Sequence, residues 1–232
     1  MSKRDQIREH RQRAKRRNRI LLILGVIVGA LLIVGILILP SLRPVGAIAT
    51  IVPRTYSQAK DNGMGDPNAP VKIVEFSDYQ CPYCENFYRQ TEQRIVDTYV
   101  ATNKVYFVYR SYGAWIGQES QRAAEAAYCA GDQNRYWDYH DMLFNNQTGE
   151  NVGDFTDKRL VAFAQTLGLD MSAFNSCFDS GKYTSRVAQD ATDATAAGIQ
   201  GTPGFLVNGK LVQGAQPFSV FQTDIEAALS GK

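Results

Sequence analysis

The chain has 232 residues, which is enough for one domain of ordinary size with appendages. Its charge is uneven: residues 1–19 hold nine Lys/Arg and two Asp/Glu for a net charge of +7, whereas the whole chain carries +2 and the rest therefore −5. A basic N-terminal segment can bind nucleic acid. An apolar segment follows directly here, so nucleic-acid binding is not the preferred interpretation of the basic residues.

The segment after the basic head predicts a membrane-spanning helix. Ile20 to Leu39 is a run of twenty residues without a charged or strongly polar side chain. At about 1.5 Å per residue this helix spans roughly 30 Å, the thickness of the hydrocarbon core of a bilayer. Basic residues before such a span stay on the cytoplasmic side. The predicted topology is a cytoplasmic segment 1–19, a single-pass helix 20–39 and an extracytoplasmic remainder.

A cleaved signal peptide is the alternative to an anchor. Ala47-Ile48-Ala49 has the small-x-small pattern of a cleavage site. The apolar cores of signal peptides run roughly 7–15 residues, which is shorter than this segment. Length therefore favours an uncleaved anchor.

Beyond the span, residues 40–70 are rich in Pro, Gly, Ala, Asn and Asp, which predicts a linker that holds the next domain off the bilayer. The domain is predicted to occupy 71–232. Apolar, β-branched runs predict strands at 71–77 and 105–109, with a helix between them that begins at Cys81. This strand–helix–strand order predicts a parallel pair of strands.

No strand pattern is visible between Gln118 and Ala197, so residues of about 115–197 are predicted to form an all-helical insertion. Strand signals return at 205–207 and 211–213 on either side of Asn208-Gly209, a strong hairpin signal. A final amphipathic helix is predicted at 218–229. The predicted helices of the insertion are 118–130, 134–145, 157–167, 171–178 and 183–197.

Cys81-Pro82-Tyr83-Cys84 is placed at the predicted start of the first domain helix. Thiol–disulfide exchange needs a thiolate, and the unpaired N–H groups of a helix N-terminus favour negative charge. Pro82 suits the first helical position. Cys81 is therefore predicted to be the nucleophile and Cys84, one turn inward, the resolving thiol. A structural disulfide or half of a zinc site is the alternative, but zinc needs a second close pair, and we predict no metal.

The carboxyl of Glu75 bears on the chemistry of Cys81 and Cys84. Glu75 lies among apolar residues of the first strand, so its carboxyl is expected to be partly buried and to accept the proton of Cys84; a solvent-facing Glu at a strand edge is the alternative.

Cys129 and Cys177 lie on two predicted insertion helices. Because disulfides persist outside the membrane, they are predicted to form a structural disulfide, with two buried free thiols as the alternative.

Two runs of the sequence resemble the DsbA-like family of thioredoxin-fold oxidoreductases. The first runs from Gly65 to Cys84 and includes Glu75; the second, from Gly198 to Gly209, includes Gly201-Thr202-Pro203. The resemblance covers about residues 64–230. It implies an α/β fold of thioredoxin type, β-α-β then β-β-α, with the helical insertion between. It also implies that Pro203 is a cis-proline facing the sulfurs and that Glu75 is the buried acid beneath them. By itself, Gly-Thr-Pro-Gly also fits an ordinary trans turn.

The resemblance further implies an anchored bacterial enzyme of the cell membrane that forms disulfides in exported proteins without a cofactor and is re-oxidised by a membrane partner. Pro82, Tyr83 and Thr202 are the candidate substrate contacts. Gly204 stands where a bulkier Thr or Ser is expected, which predicts a looser substrate edge. A reductase or isomerase with the same site is an alternative, since Pro-Tyr also occurs between the cysteines of such relatives. A non-enzymatic thioredoxin-fold binding module is the third.

Overall fold

The computed structural model describes residues 3–38, 45–52, 54, 56 and 58–231. The chain separates into two compact units, Met1–Val45 and Gly46–Lys232. Leu39 and residues 40–44, 53, 55 and 57, which belong to the predicted span and linker, lie outside the described residues.

The first unit contains one helix, α1 (Lys3–Ile38), which runs through both the basic head and the apolar segment. Its stretch Arg19–Ile36 is long and apolar enough to cross a membrane by length and composition. Large apolar side chains along this stretch are exposed; Leu22, for example, is 70% exposed. Such a surface fits an apolar surrounding better than water.

The second unit is built on a five-stranded sheet of order β1-β3-β2-β4-β5. β2 and β3 are parallel, as the strand–helix–strand order predicts, and the other neighbours are antiparallel. The sheet confirms the α/β fold of thioredoxin type. Its strands are β1 (Gly63–Met64), β2 (Val71–Ser77), β3 (Val105–Ser111), β4 (Gly204–Val207) and β5 (Lys210–Gln213).

The helices also follow the predicted order. α2 (Pro82–Phe87) and α3 (Gln93–Ile95) are joined and extended by π-helical turns, so that one helical stretch reaches Val100. α9 (Phe218–Leu229) closes the domain. The insertion between β3 and β4 is helical, as predicted, and consists of α4 (Gln118–Gly131), α5 (Tyr136–Asn146), α6 (Asp157–Thr166), α7 (Met171–Asp179) and α8 (Thr184–Ala196).

The folded unit begins earlier than the predicted boundary at residue 71. The backbone N–H of Ala49 donates to Asn146 Oδ1 at 2.8 Å, and Asn146 Nδ2 donates back to the Ala49 carbonyl at 2.8 Å. β1 pairs with β3, and Met64 is fully buried. The described part of residues 46–70 is thus docked on the domain. The turn-rich composition of this segment hides these contacts, because each depends on a single residue.

A disulfide joins Cys129 on α4 to Cys177 on α7, with Cα atoms 5.8 Å apart. The two sulfurs bridge neighbouring insertion helices, between which the Arg122 guanidinium of α4 also lies 3.7 Å from the centroid of the Phe178 ring of α7. The alternative of two free thiols is wrong.

Replacing both residues, as Cys129→Ala with Cys177→Ala, is expected to destabilise the domain by about 4 kcal/mol, because the bridge closes a loop of 48 residues in the unfolded chain. Thermal unfolding checks this, with Cys177→Ala alone as the control that also breaks the bridge. Activity in peptide oxidation is expected to be retained, since the C-x-x-C starts a different helix. Loss of activity without loss of stability would contradict a purely structural role.

Candidate redox site

Cys81 occupies the N-cap of α2, and Pro82 is the first helical residue. The Cys81 sulfur lies 3.4 Å from the carbonyl oxygen of Thr202. Hydrogen bonds from the Cys84 thiol, the Thr202 side chain and the backbone N–H groups of Cys84 and Tyr83 lower the pKa of Cys81 to about 6, against the opposing effect of burial. At neutral pH this sulfur is mostly a thiolate.

Cys84 differs strongly from its neighbour. It is fully buried, and this burial, together with the nearby Cys81 sulfur, raises the pKa of its thiol well above the ordinary value. The backbone N–H of Asp78 lies 3.5 Å from the Cys84 sulfur. One sulfur of the pair is therefore acidic and at the helix start, and the other is protonated and inside.

The loop before β4 brings Thr202 to the Cys81 sulfur. The Thr202–Pro203 peptide bond is cis, as the resemblance implied, and Pro203 is buried. The candidate contacts Pro82, Tyr83 and Thr202 thus come together around Cys81.

Glu75 lies on β2, in the middle of the sheet, with Tyr109 of β3 and Phe205 of β4 as its neighbours in register. It is 1% exposed, so the solvent-facing alternative is wrong. Burial raises the pKa of the Glu75 carboxyl to about 8; a hydrogen bond with Ser77 opposes this rise and the charge of Cys81 adds to it. Such an acid can take up or release a proton near neutral pH.

An open groove of about 600 Å³ lies beside Cys81. Its lining includes the residues expected from the sequence, Pro82, Tyr83 and Thr202. It also includes Trp115, Ile116 and Glu150, which sequence reasoning missed and which we call the outer wall. Trp115 is 54% exposed and stacks on Tyr112 at 4.9 Å between ring centroids. The sequence signal was an aromatic residue four positions after the end of β3.

The expectation of a loose substrate edge at Gly204 is wrong. A Cβ atom on Gly204 would lie 2.7 Å from Cγ2 of Ile199, far inside van der Waals contact. Ile199 is itself buried. The space that a larger residue would take is already filled from the end of the insertion.

Within the part of the chain that the structure describes, one group has donor atoms close enough to suggest a metal: Glu92, His140 and Asp141. His140 Nε2 faces Glu92 Oε2 at 3.6 Å, while its Nδ1 faces Asp141 Oδ1 at 3.3 Å. The imidazole therefore lies between two carboxyl groups. All three residues are buried, and burial raises the pKa of Glu92 to about 8.

Comparison with known proteins shows the family of this chain. A family model described as Thioredoxin matches residues 57–227. The chain belongs to the thioredoxin family. The crystal structure of oxidised BdbD from Bacillus subtilis superposes with a TM-score of 0.68 at 26% identity, covering 79% of this chain and 100% of that one. Within the family, the fold is DsbA-like, with the helical insertion that this type carries.

Two curated relatives have different names. Disulfide bond formation protein D of Bacillus subtilis is 28% identical over 172 residues, which is 73% of this chain and 77% of that protein. Na(+)/H(+) antiporter NhaA 1 of Salinispora arenicola is 30% identical over 187 residues, which is 80% of this chain. The chain spans only about a quarter, 27%, of the length of that antiporter.

The buried acid gives a test by pH. In the reduced protein, the folded state holds the Glu75 proton up to a pH of about 8, whereas the unfolded chain releases it near 4.5. The folded state therefore binds more protons between these values, and its stability falls as pH rises through this window. Glu75→Gln is expected to remove part of that fall, on the order of 4 kcal/mol, as measured by denaturant unfolding from pH 4.5 to 8.

Glu92 contributes a slope of the same sign, which the variant keeps. Asp97→Asn, at an exposed helical position, controls for the loss of one negative charge. An unchanged slope in Glu75→Gln would show that Glu75 is ionised in the folded protein at neutral pH.

Proposed function

We propose that this protein is a membrane-anchored, extracytoplasmic thiol-disulfide oxidoreductase that forms disulfides in exported proteins. The observation that carries the proposal is the opposite shift of two thiol pKa values one helical turn apart, lowered for Cys81 and raised for Cys84. The name of the Bacillus subtilis relative, disulfide bond formation protein D, supports it.

The reaction begins with Cys81 and Cys84 joined as a disulfide. A substrate thiolate attacks the Cys81 sulfur, which forms a mixed disulfide and releases the sulfur of Cys84 as the leaving group. Because Cys84 is buried, it takes up a proton, and Glu75, with a pKa of about 8, is the candidate donor. Because the Glu75 carboxyl and the Cys84 thiol are both buried, the proton is transferred within the site.

A second substrate thiolate then attacks the substrate sulfur of the mixed disulfide. The substrate disulfide forms, and Cys81 leaves as a thiolate that its hydrogen-bond donors stabilise. The substrate loses two electrons and the enzyme gains them. A membrane partner that accepts two electrons would restore the Cys81–Cys84 disulfide, with Glu75 now taking the Cys84 proton.

The direction of exchange depends on how far the reduced form is stabilised. A stabilised Cys81 thiolate favours the reduced enzyme and hence oxidation of substrates. The pKa of Cys81, about 6, however, lies between the pKa values of the reactive cysteines of thioredoxin, about 7, and of DsbA, about 3.5. This value supports a protein-disulfide reductase or isomerase as the second candidate function. A reduction potential near that of DsbA would select the oxidase, and one near that of thioredoxin would select the reductase.

The two thiols give a direct test. In the reduced protein, alkylation followed across pH is expected to show Cys81 reacting with a midpoint near 6 and Cys84 remaining unreactive at neutral pH. With a substrate that carries a disulfide, Cys84→Ala is expected to be trapped as a mixed disulfide on Cys81: the Cys81 thiolate attacks the substrate disulfide, one substrate sulfur leaves, and no Cys84 thiol remains to release the product. Cys81→Ala is the matched control and should trap none. Faster alkylation of Cys84 than of Cys81 would reverse the two roles.

For location, we propose that the N-terminus is cytoplasmic, α1 crosses the membrane and Gly46–Lys232 lies outside. The length and composition of α1 support a span, and the basic residues before it support the orientation.

The native protein is expected to stay in the membrane fraction through high-salt and alkaline washing. Protease added from outside should digest the domain of intact cells freed of their wall. Edman sequencing of the mature protein gives the decisive measurement, since an N-terminus at Thr50 would mean that α1 is a cleaved signal sequence.

A further inference from the structure

The three residues between β2 and the nucleophile, Asp78, Tyr79 and Gln80, are all completely buried. The Asp78 carboxylate is directed at the insertion. Its Oδ1 accepts the hydroxyl of Ser120 at 2.6 Å and the backbone N–H of Gln80 at 2.8 Å. Its Oδ2 accepts the backbone N–H of Ile116 at 3.4 Å.

The Gln80 side chain extends the same network to a second loop. Its Nε2 donates to Ser120 Oγ at 2.7 Å, and its Oε1 accepts the backbone N–H of Asn151 at 2.6 Å. The Gln80 carbonyl accepts the side-chain amide of Gln147. Residues 78–80, which precede Cys81, therefore hold two separate parts of the chain: the loop before α4 with the first turn of α4 (115–120), and the loop 147–151.

These two loops carry the outer wall of the groove. Trp115 and Ile116 lie on the first loop and Glu150 on the second, and all three line the same groove as Cys81 and Thr202. Asp78 also contacts the other side of the site, because its backbone N–H faces the Cys84 sulfur. The same residue thus connects the resolving sulfur to the wall.

We infer that Asp78 and Gln80, with Ser120 between them, are positioning residues that set the distance of the outer wall from Cys81 and so determine the affinity for polypeptide substrates. The inference rests on the proposed function. Ser120 is the shared partner, since its hydroxyl contacts both Asp78 and Gln80. A substrate that needs no wall, such as dithiothreitol, should not depend on it.

The test compares two substrates of the full-length protein, dithiothreitol and a peptide with two cysteines and flanking aromatic residues. Oxidised glutathione in excess is the two-electron acceptor that re-forms the Cys81–Cys84 disulfide after each turnover. Ser120→Ala is expected to raise KM for the peptide about ten-fold with little change in kcat, and to leave the rate with dithiothreitol unchanged. Ser120→Thr, which keeps the hydroxyl, should restore the peptide KM.

A double-mutant cycle with Trp115→Ala separates positioning from general loosening. If Ser120 acts through the wall, Ser120→Ala should add little to KM once Trp115 is gone. The inference is overturned if the effect of Ser120→Ala persists in full in the Trp115→Ala background, or if both substrates slow in parallel.

Asp78→Asn offers a second variant that keeps the shape of the side chain and alters the contact with Ile116. It is expected to increase quenching of Trp115 by acrylamide, a readout independent of activity, since the other tryptophan, Trp137, is buried. Unchanged quenching in both Asp78→Asn and Ser120→Ala also overturns the inference. A wild-type protein that exchanges with neither substrate overturns the proposed function itself and this inference with it.

Discussion

The difference in acidity between two sulfurs one helical turn apart is the constraint on which the site depends. Cys81 can hold a negative charge because the Cys84 thiol, Thr202 and the helix start supply hydrogen-bond donors, whereas Cys84 cannot because it is enclosed. Both conditions require α2 to start at the end of β2 and the cis-proline loop to lie across it. The sheet order, with β4 beside β2, provides this geometry.

Enclosing Cys84 creates a problem of proton transfer, and Glu75 addresses it. A carboxyl on the central strand is costly to ionise, which holds its pKa at about 8. The buried carboxyl destabilises the folded protein above neutral pH, but it also provides a buried group that titrates near neutral pH. Glu92, on the π-helical turn after α2, is a second buried acid, and His140 lies between it and Asp141. The core below the sulfurs is therefore unusually rich in titratable groups.

The insertion contributes more than mass to the domain. Its aromatic residues Tyr136, Trp137, Tyr139 and Phe144 are buried and form core, and its disulfide fixes α4 to α7. At the same time its loops provide the outer wall of the groove. Asp78 and Gln80, just before Cys81, are hydrogen-bonded to these parts of the insertion. The insertion and the sheet therefore meet at the site through polar contacts as well as apolar packing.

The sequence determined the local features, because they depend on short-range patterns: the apolar length of α1, the strands at 71–77 and 105–109, the helical insertion, the hairpin at Asn208-Gly209 and the helix start at Cys81. The resemblance added the cis bond before Pro203. Only the tertiary structure decided which residues distant in the chain meet. It buried Glu75 by placing β2 between β3 and β4, docked the turn-rich segment after residue 45, and filled the space at Gly204 with Ile199. It also brought Trp115 and Glu150 to Cys81. Glu75 and Tyr109, and Cys81 with Trp115 and Glu150, are 34 or more residues apart, and no periodicity of the chain encodes such contacts.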